Sequence, residues 1–252
     1  MRTLAADGLD LLAEDARDAA SWDARIVRDR ERAHVLLPVG LRRATELLLA
    51  RAVAAGADAV ALTGSTVRAR RTAMSDLDLH VVGPRPSLID VEIDADVYAT
   101  TADVMLERLR AGDDYVQWTL RFGCVLFDTG ALRDAAAELV GSGQWPSPER
   151  KLAQARRMLD LAEHVVASGD RDAAVEQVRA VLTGLGRWLL LVNGAFPLAR
   201  AELPGQLRAI GAREVAVSLE RCILREPSMD ELIADLRLTR ATLTGATTSR
   251  AA

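Results

Sequence analysis

Three short runs in the first half of the chain, Ala57–Leu62, Asp76–Val82 and Val91–Tyr98, have the length and aliphatic content of β-strands. Most of the remaining sequence repeats its apolar residues at helical spacing. Ala57-Asp58-Ala59-Val60-Ala61-Leu62 has little polar character and reads as a buried strand. Thr63-Gly64-Ser65-Thr66 follows it directly, and a glycine there lets the backbone turn tightly and come close to a ligand. In the second run Asp76 and Asp78 alternate with Leu77 and Leu79 before Val81 and Val82. Residues two apart on a strand project the same way, so the two aspartates share a face.

These residue types suit one kind of ligand. Ser65 offers a hydroxyl and an amide to a phosphate oxygen, and Arg68 adds a charged fork for a terminal phosphate. Arg68, Arg70 and Arg71 follow the turn with no acid before Ser75, so this stretch is locally positive in an acidic chain. Two carboxylates on one face suit a divalent cation such as Mg²⁺, which prefers oxygen and keeps positions open for substrate phosphates. The third run, Val91-Glu92-Ile93-Asp94-Ala95-Asp96-Val97-Tyr98, reads as a strand with all three acids on one face. Any of Glu92, Asp94 and Asp96 can serve as a third metal ligand; Asp96 is favoured, with Asp94 close behind, and register decides among them.

Strand, Gly64-Ser65, a ten-residue gap, Asp76-x-Asp78 and a later acidic strand together resemble the nucleotidyltransferase core of the DNA polymerase beta superfamily. Within it the chain is most similar to bacterial minimal and aminoglycoside-type nucleotidyltransferases with a helical C-terminal domain. The resemblance covers residues 40–100. It implies that Gly64, Ser65 and Arg68 hold a nucleoside triphosphate, with ATP assumed from family habit. It also implies that Asp76, Asp78 and Asp96 hold two magnesium ions, with Asp94 as the neighbouring catalytic carboxylate. The reaction implied is transfer of a nucleoside monophosphate to a hydroxyl of a small acceptor, an aminoglycoside among the candidates, by an antibiotic-resistance type of enzyme. An antitoxin-like transferase acting on a protein, and a non-catalytic nucleotide-binding module, are the alternatives.

Composition narrows the partners. At 252 residues with half its residues apolar, the chain can bury a core of one large or two small domains. A formal charge of −4 speaks against a general nucleic-acid binder, which needs a broad basic face. Cys124 and Cys222 are too few and too far apart for a disulfide framework, which fits a reducing, cytoplasmic compartment. Asp7, Asp10, Glu14 and Asp15 interrupt any N-terminal apolar segment, and the Trp188–Val192 run is too short to span a bilayer, so neither a secretory signal nor a membrane partner is expected. Nothing in the sequence fixes the oligomeric state, and a homodimer stays open.

The expected fold class is α+β: a small mixed sheet flanked by helices, followed by an all-α C-terminal bundle. Residues 1–37 read as an amphipathic helical arm with a thin stripe of Leu9, Leu12, Ala16, Ala19 and Ala20. Residues 38–143 form the catalytic domain, opened by a helix from Pro38 to a stop at Gly56. Thr100 and Asp103 suggest a capping box for a helix over 104–110, and Cys124–Phe127 a further short strand. Residues 144–243 read as helices only, starting at the Ser147-Pro148 cap, and residues 244–252 as a disordered tail. Asp113 and Asp114 are expected to cap a helix, and Trp118 and Trp188 to fill cores. Arg157 and His164 have a spacing tolerated in helical ribonuclease toxins, yet a capping or exposed histidine is the plainer account.

Overall fold

The computed structural model describes residues 4–71 and 75–248 of the chain, which divides into two compact units, Met1–Pro146 and Ser147–Ala252. The first unit begins with helices α1 (Leu4–Asp15), α2 (Ala19–Leu36) and α3 (Val39–Ala54). Strand β1 (Ala59–Leu62), the single helical turn α4 (Gly64–Val67), β2 (Leu77–Val82) and β3 (Ala95–Thr100) come next. Helices α5 (Ala102–Arg110) and α6 (Asp114–Phe122), strand β4 (Cys124–Asp128) and helix α7 (Ala131–Ser142) complete it.

The four strands form one mixed sheet in the order β3-β2-β1-β4, with β1 antiparallel to β2 and β4, and β2 parallel to β3. Strand β1 is central and all four of its residues are buried, which is why its sequence is continuously apolar. Ala59, Ala61, Val82 and Val125 face Leu12 of α1, Met105 and Leu109 of α5, Val116 and Leu120 of α6, and Leu132 and Leu139 of α7. On the other side α3 lies against β1 and β2, burying Leu41, Ala44, Leu48 and Ala52. The fold class is thus the α+β arrangement expected, with a small mixed sheet flanked by helices.

The expected strand over 91–98 starts only at Ala95. Leu77, the first residue of β2, pairs with Ala95, and its N–H donates to the Asp94 carbonyl. Upstream of that bond β2 offers no ladder, so Glu92 and Asp94 precede the strand instead of sharing its face. The helix expected over 104–110 begins at Ala102 and is capped by Thr101, whose hydroxyl accepts from Val104 N–H; Thr100 is still in β3, opposite Val82.

Helix α2, within the segment expected as an arm, supplies the cover for the β4 edge. Buried Trp22 donates its indole N–H to Asp128, and Asp29 accepts the N–H of Val125. Arg30 donates to the Leu126 carbonyl, and Arg25 to the carbonyls of Leu120 and Gly123. An open edge strand presents unpaired backbone groups, and α2 satisfies several of these with side chains. Arg25 and Asp29, each 4% exposed, pair with one another at 3.2 Å.

The second unit is helical: α8 (Pro148–Ser168), α9 (Arg171–Val192), α10 (Leu203–Ala209), α11 (Arg213–Leu224) and α12 (Met229–Thr248). Ser147 caps α8, and Pro148 takes its first position, where a missing N–H costs nothing. Helix α9 touches α8, α10, α11 and α12 and buries Val178, Val181, Leu182, Leu185, Leu190 and Leu191, so it is apolar over most of its circumference. The expected tail is helical through Thr248; residues 249–252 lie outside the described residues. Cys124 and Cys222 are both buried thiols. Among the described residues no helix is long and apolar enough to cross a membrane.

Candidate active site

The turn after β1 and the first residues of β2 and β3 meet at one end of the sheet. Thr63 N–H donates to the Asp78 carbonyl at 2.9 Å, holding the turn against β2. Gly64 sits at φ +71°, and a methyl group placed on it would lie 1.8 Å from Asp78 Oδ2. The Asp78 carboxylate therefore rests on the bare Cα of Gly64. That close approach, together with the left-handed backbone, is what this glycine is for. Asp78 and Asp96 are register partners on neighbouring parallel strands, so their side chains leave the sheet side by side on one face.

The other expected residues are placed less closely. Asp76 precedes β2 and is exposed, and its carbonyl accepts from Arg71. Asp94 is exposed one residue before β3. Arg68 has its guanidinium over the Phe122 ring of α6, 5.3 Å from the centroid. Among the described residues no group of three or more His, Cys, Asp and Glu is arranged to hold a metal ion. What the fold brings together is Gly64, Ser65, Asp78 and Asp96. Residues 72–74, within the insert after the turn, lie outside the described residues.

Two residues further along the same strands lies a layer that the motif reading missed. His80 and Tyr98 are register partners and occupy the same face as Asp78 and Asp96. Tyr115 of α6 closes a triangle with them, with ring centroids 5.0, 5.6 and 5.3 Å apart. Edge and tilted contacts of this kind suit the ring quadrupoles. The Tyr115 hydroxyl approaches Thr63 without completing a hydrogen bond. Burial, with Asp78, Asp96 and Tyr98 nearby, pushes its phenol up to about 12, so the ring is neutral near pH 7. Period two from each aspartate would have found His80 and Tyr98. No local signal points to Tyr115.

His80 is 1% exposed; its Nδ1 stands 3.4 Å from the Thr119 hydroxyl, and its Nε2 has no hydrogen-bond partner. Burial first, and the Arg108 charge second, depress its pKa from 6.5 to about 4. The folded protein therefore keeps this imidazole neutral at pH values where the unfolded chain protonates it. The stability that this group contributes should be complete above about pH 6.5 and fall as the pH drops toward 4, by up to about 3 kcal/mol. Urea unfolding of chelator-treated protein at pH 7, 6 and 5 should show that decline. It should flatten in His80→Leu, and an equal slope in both proteins would exclude His80 as its source.

The residues expected to do other work have structural places. Asp113 caps α6, accepting from the N–H groups of Tyr115 and Val116. Trp118 and Trp188 are buried in their respective units. His164 Nδ1 contacts the Asp160 carbonyl one helical turn back, on an exposed face.

Fold and site together define an α+β protein in which a glycine-serine turn closes on the Asp78 carboxylate, with Asp96 its register partner on the adjacent parallel strand. No protein-family model and no curated protein matches the chain. Among solved structures it is similar to a nucleotidyltransferase-like protein from Exiguobacterium sibiricum 255-15, with 18% identity, a TM-score of 0.38, and coverage of 81% of this chain and 75% of that one.

Proposed function

We propose that this protein is a magnesium-dependent nucleotidyltransferase that moves a nucleoside monophosphate, AMP from ATP, to a hydroxyl of a small acceptor. The observation that carries the reading is the seat of the Asp78 carboxylate on Gly64, with Asp96 alongside it on the next strand. This joins an anion-binding turn to a pair of hard oxygen donors within one layer of residues. Two carboxylates fit Mg²⁺, which usually takes one or two from a protein and fills its remaining positions with water and phosphate. Asp78 and Asp96 would hold the ion, and exposed Asp76 at the mouth of β2 would be the carboxylate for a second. When bound, magnesium supplies positive charge to phosphate oxygens during an in-line displacement.

The chain's own groups account for the rest. The missing side chain at Gly64 lets the turn seat the Asp78 carboxylate, and Ser65, next in the turn, donates its hydroxyl and N–H to phosphate oxygens. Arg68 provides a cation beyond the turn for the leaving pyrophosphate. Asp94 and Asp96, both exposed, are the carboxylates available to take the proton of an acceptor hydroxyl, which is a weak nucleophile while it keeps that proton. Exposed Asp76, Glu92 and Asp94 give this end of the unit a negative field that favours a polycationic acceptor such as an aminoglycoside.

Incubation with α-labelled ATP, Mg²⁺ and a panel of hydroxylated metabolites and aminoglycosides tests this directly. Label should move to at least one small acceptor with release of pyrophosphate. Asp78→Asn, which keeps the shape and removes the charge, should lower that rate by about two orders of magnitude or more. Label on a co-expressed protein would replace the small acceptor by a protein one. ATP binding indifferent to Mg²⁺, with no pyrophosphate formed with any acceptor, would leave only a binding module.

A further inference from the structure

Asp113 holds two elements at once. Its Oδ1 accepts the N–H groups of Tyr115 and Val116, while its Oδ2 accepts Nε and Nη2 of Arg108 at 3.1 and 2.7 Å. The Arg108 guanidinium lies over the Tyr98 ring, 5.1 Å from its centroid, and also donates to the Tyr98 hydroxyl. Tyr98 is two residues beyond Asp96 on β3, and Tyr115 stacks against both Tyr98 and His80. A closed circuit thus runs from Tyr98 through Arg108 and Asp113 to the first turn of α6 and back through Tyr115.

A cation in this circuit matters because of where it stands. The strand repeat puts Tyr98 roughly 7 Å from Asp96 along the backbone, and the layer between is built of rings, which screen charge poorly. An uncompensated guanidinium there would attract the two carboxylates and oppose any second cation among them. At an effective dielectric constant near 20, a unit charge about 10 Å from a divalent cation alters its affinity by roughly two orders of magnitude. Arg108 is only partly buried, so solvent trims that effect. The Asp113 carboxylate at 2.7 Å cancels most of it.

We infer that Asp113 is a positioning residue that neutralises Arg108 and clamps it on Tyr98, so that the guanidinium charge does not oppose a divalent cation at the Asp78–Asp96 pair. The inference rests on the metal-dependent reading of the site. It gives Asp113 a role beside the proposed site without contact with substrate.

The test is Mn²⁺ binding to the full chain, followed by the electron paramagnetic resonance of the free ion, with thermal melts alongside. Asp113→Asn, and Asp113→Ser as a second cap-competent variant, should weaken Mn²⁺ binding by about tenfold. Adding Arg108→Gln to either should bring the affinity back to within about threefold of the wild type, which loss of a cap alone would not do. Asp113→Asn binding as tightly as the wild type would overturn the proposal while leaving the transferase reading standing. A double variant no better than the single one would do the same. A folded wild-type chain that binds no Mn²⁺, with or without ATP, would remove both.

Discussion

Gly64→Ala should abolish nucleotidyl transfer and Mg²⁺-dependent ATP binding while leaving the chain folded. The added methyl would stand 1.8 Å from Asp78 Oδ2 and 2.5 Å from Cγ, distances that real contacts do not reach. Either the carboxylate swings away from Asp96 or the turn lifts off β2, and both outcomes separate the groups the reaction needs together. At φ +71° the alanine also carries the strain of the left-handed region. Strain and overpacking together should cost about 2 to 4 kcal/mol, and activity should fall by at least about a hundredfold. On an Asp78→Ala background the overlap is largely gone, so the same substitution should cost only its backbone share. A Gly64→Ala protein as active and as stable as the wild type would show that the turn does not seat on Asp78.

The largest effect on stability is expected at Asp29, where α2 meets the edge strand β4. Its carboxylate accepts both the Arg25 side chain and the Val125 N–H, and all three groups are buried. Asp29→Ala leaves a buried guanidinium with the more distant Asp15, 3.8 Å away, as a remaining carboxylate neighbour, and orphans a backbone donor on the edge strand. Removing one partner of a buried ion pair typically costs about 3 to 5 kcal/mol. Arg25→Met with Asp29→Leu should cost less than Asp29→Ala alone, because the desolvated charge goes with its partner. Urea unfolding monitored by circular dichroism measures both, and a double variant less stable than the single one would contradict this account.

Much of the fold could be read from local pattern. Continuous apolar character over Ala59–Leu62 marks a central strand, and Ser147-Pro148 and Asn193-Gly194 bracket the helices α8 and α9 through capping chemistry alone. Asp76, Asp78, Gly64 and Ser65 stand out because their spacing is itself a chemical statement. The choice among Glu92, Asp94 and Asp96 was not legible, since it depends on where β2 begins. The first ladder position of β2 makes Asp96 the partner of Asp78 and leaves Asp94 outside the strand.

Residues 1–37 show the same limit from another side. Along α2 the apolar signal is thin because that helix meets the sheet edge mainly through hydrogen bonds, donated by Trp22, Arg25 and Arg30 and accepted by Asp29. Hydrophobic periodicity is blind to such contacts. The sequence by itself determined where most of the strands and helices lie and which residue types are on offer for phosphate and metal chemistry, because those follow from backbone preference and side-chain type within a few positions. Only the tertiary structure decided which acid stands beside Asp78, that Tyr115 and Arg108 meet on Tyr98 one layer further along the strand, and that α2 covers the β4 edge. Each of these is a contact between residues distant in the chain, set by strand register and helix docking, and no local interval encodes it.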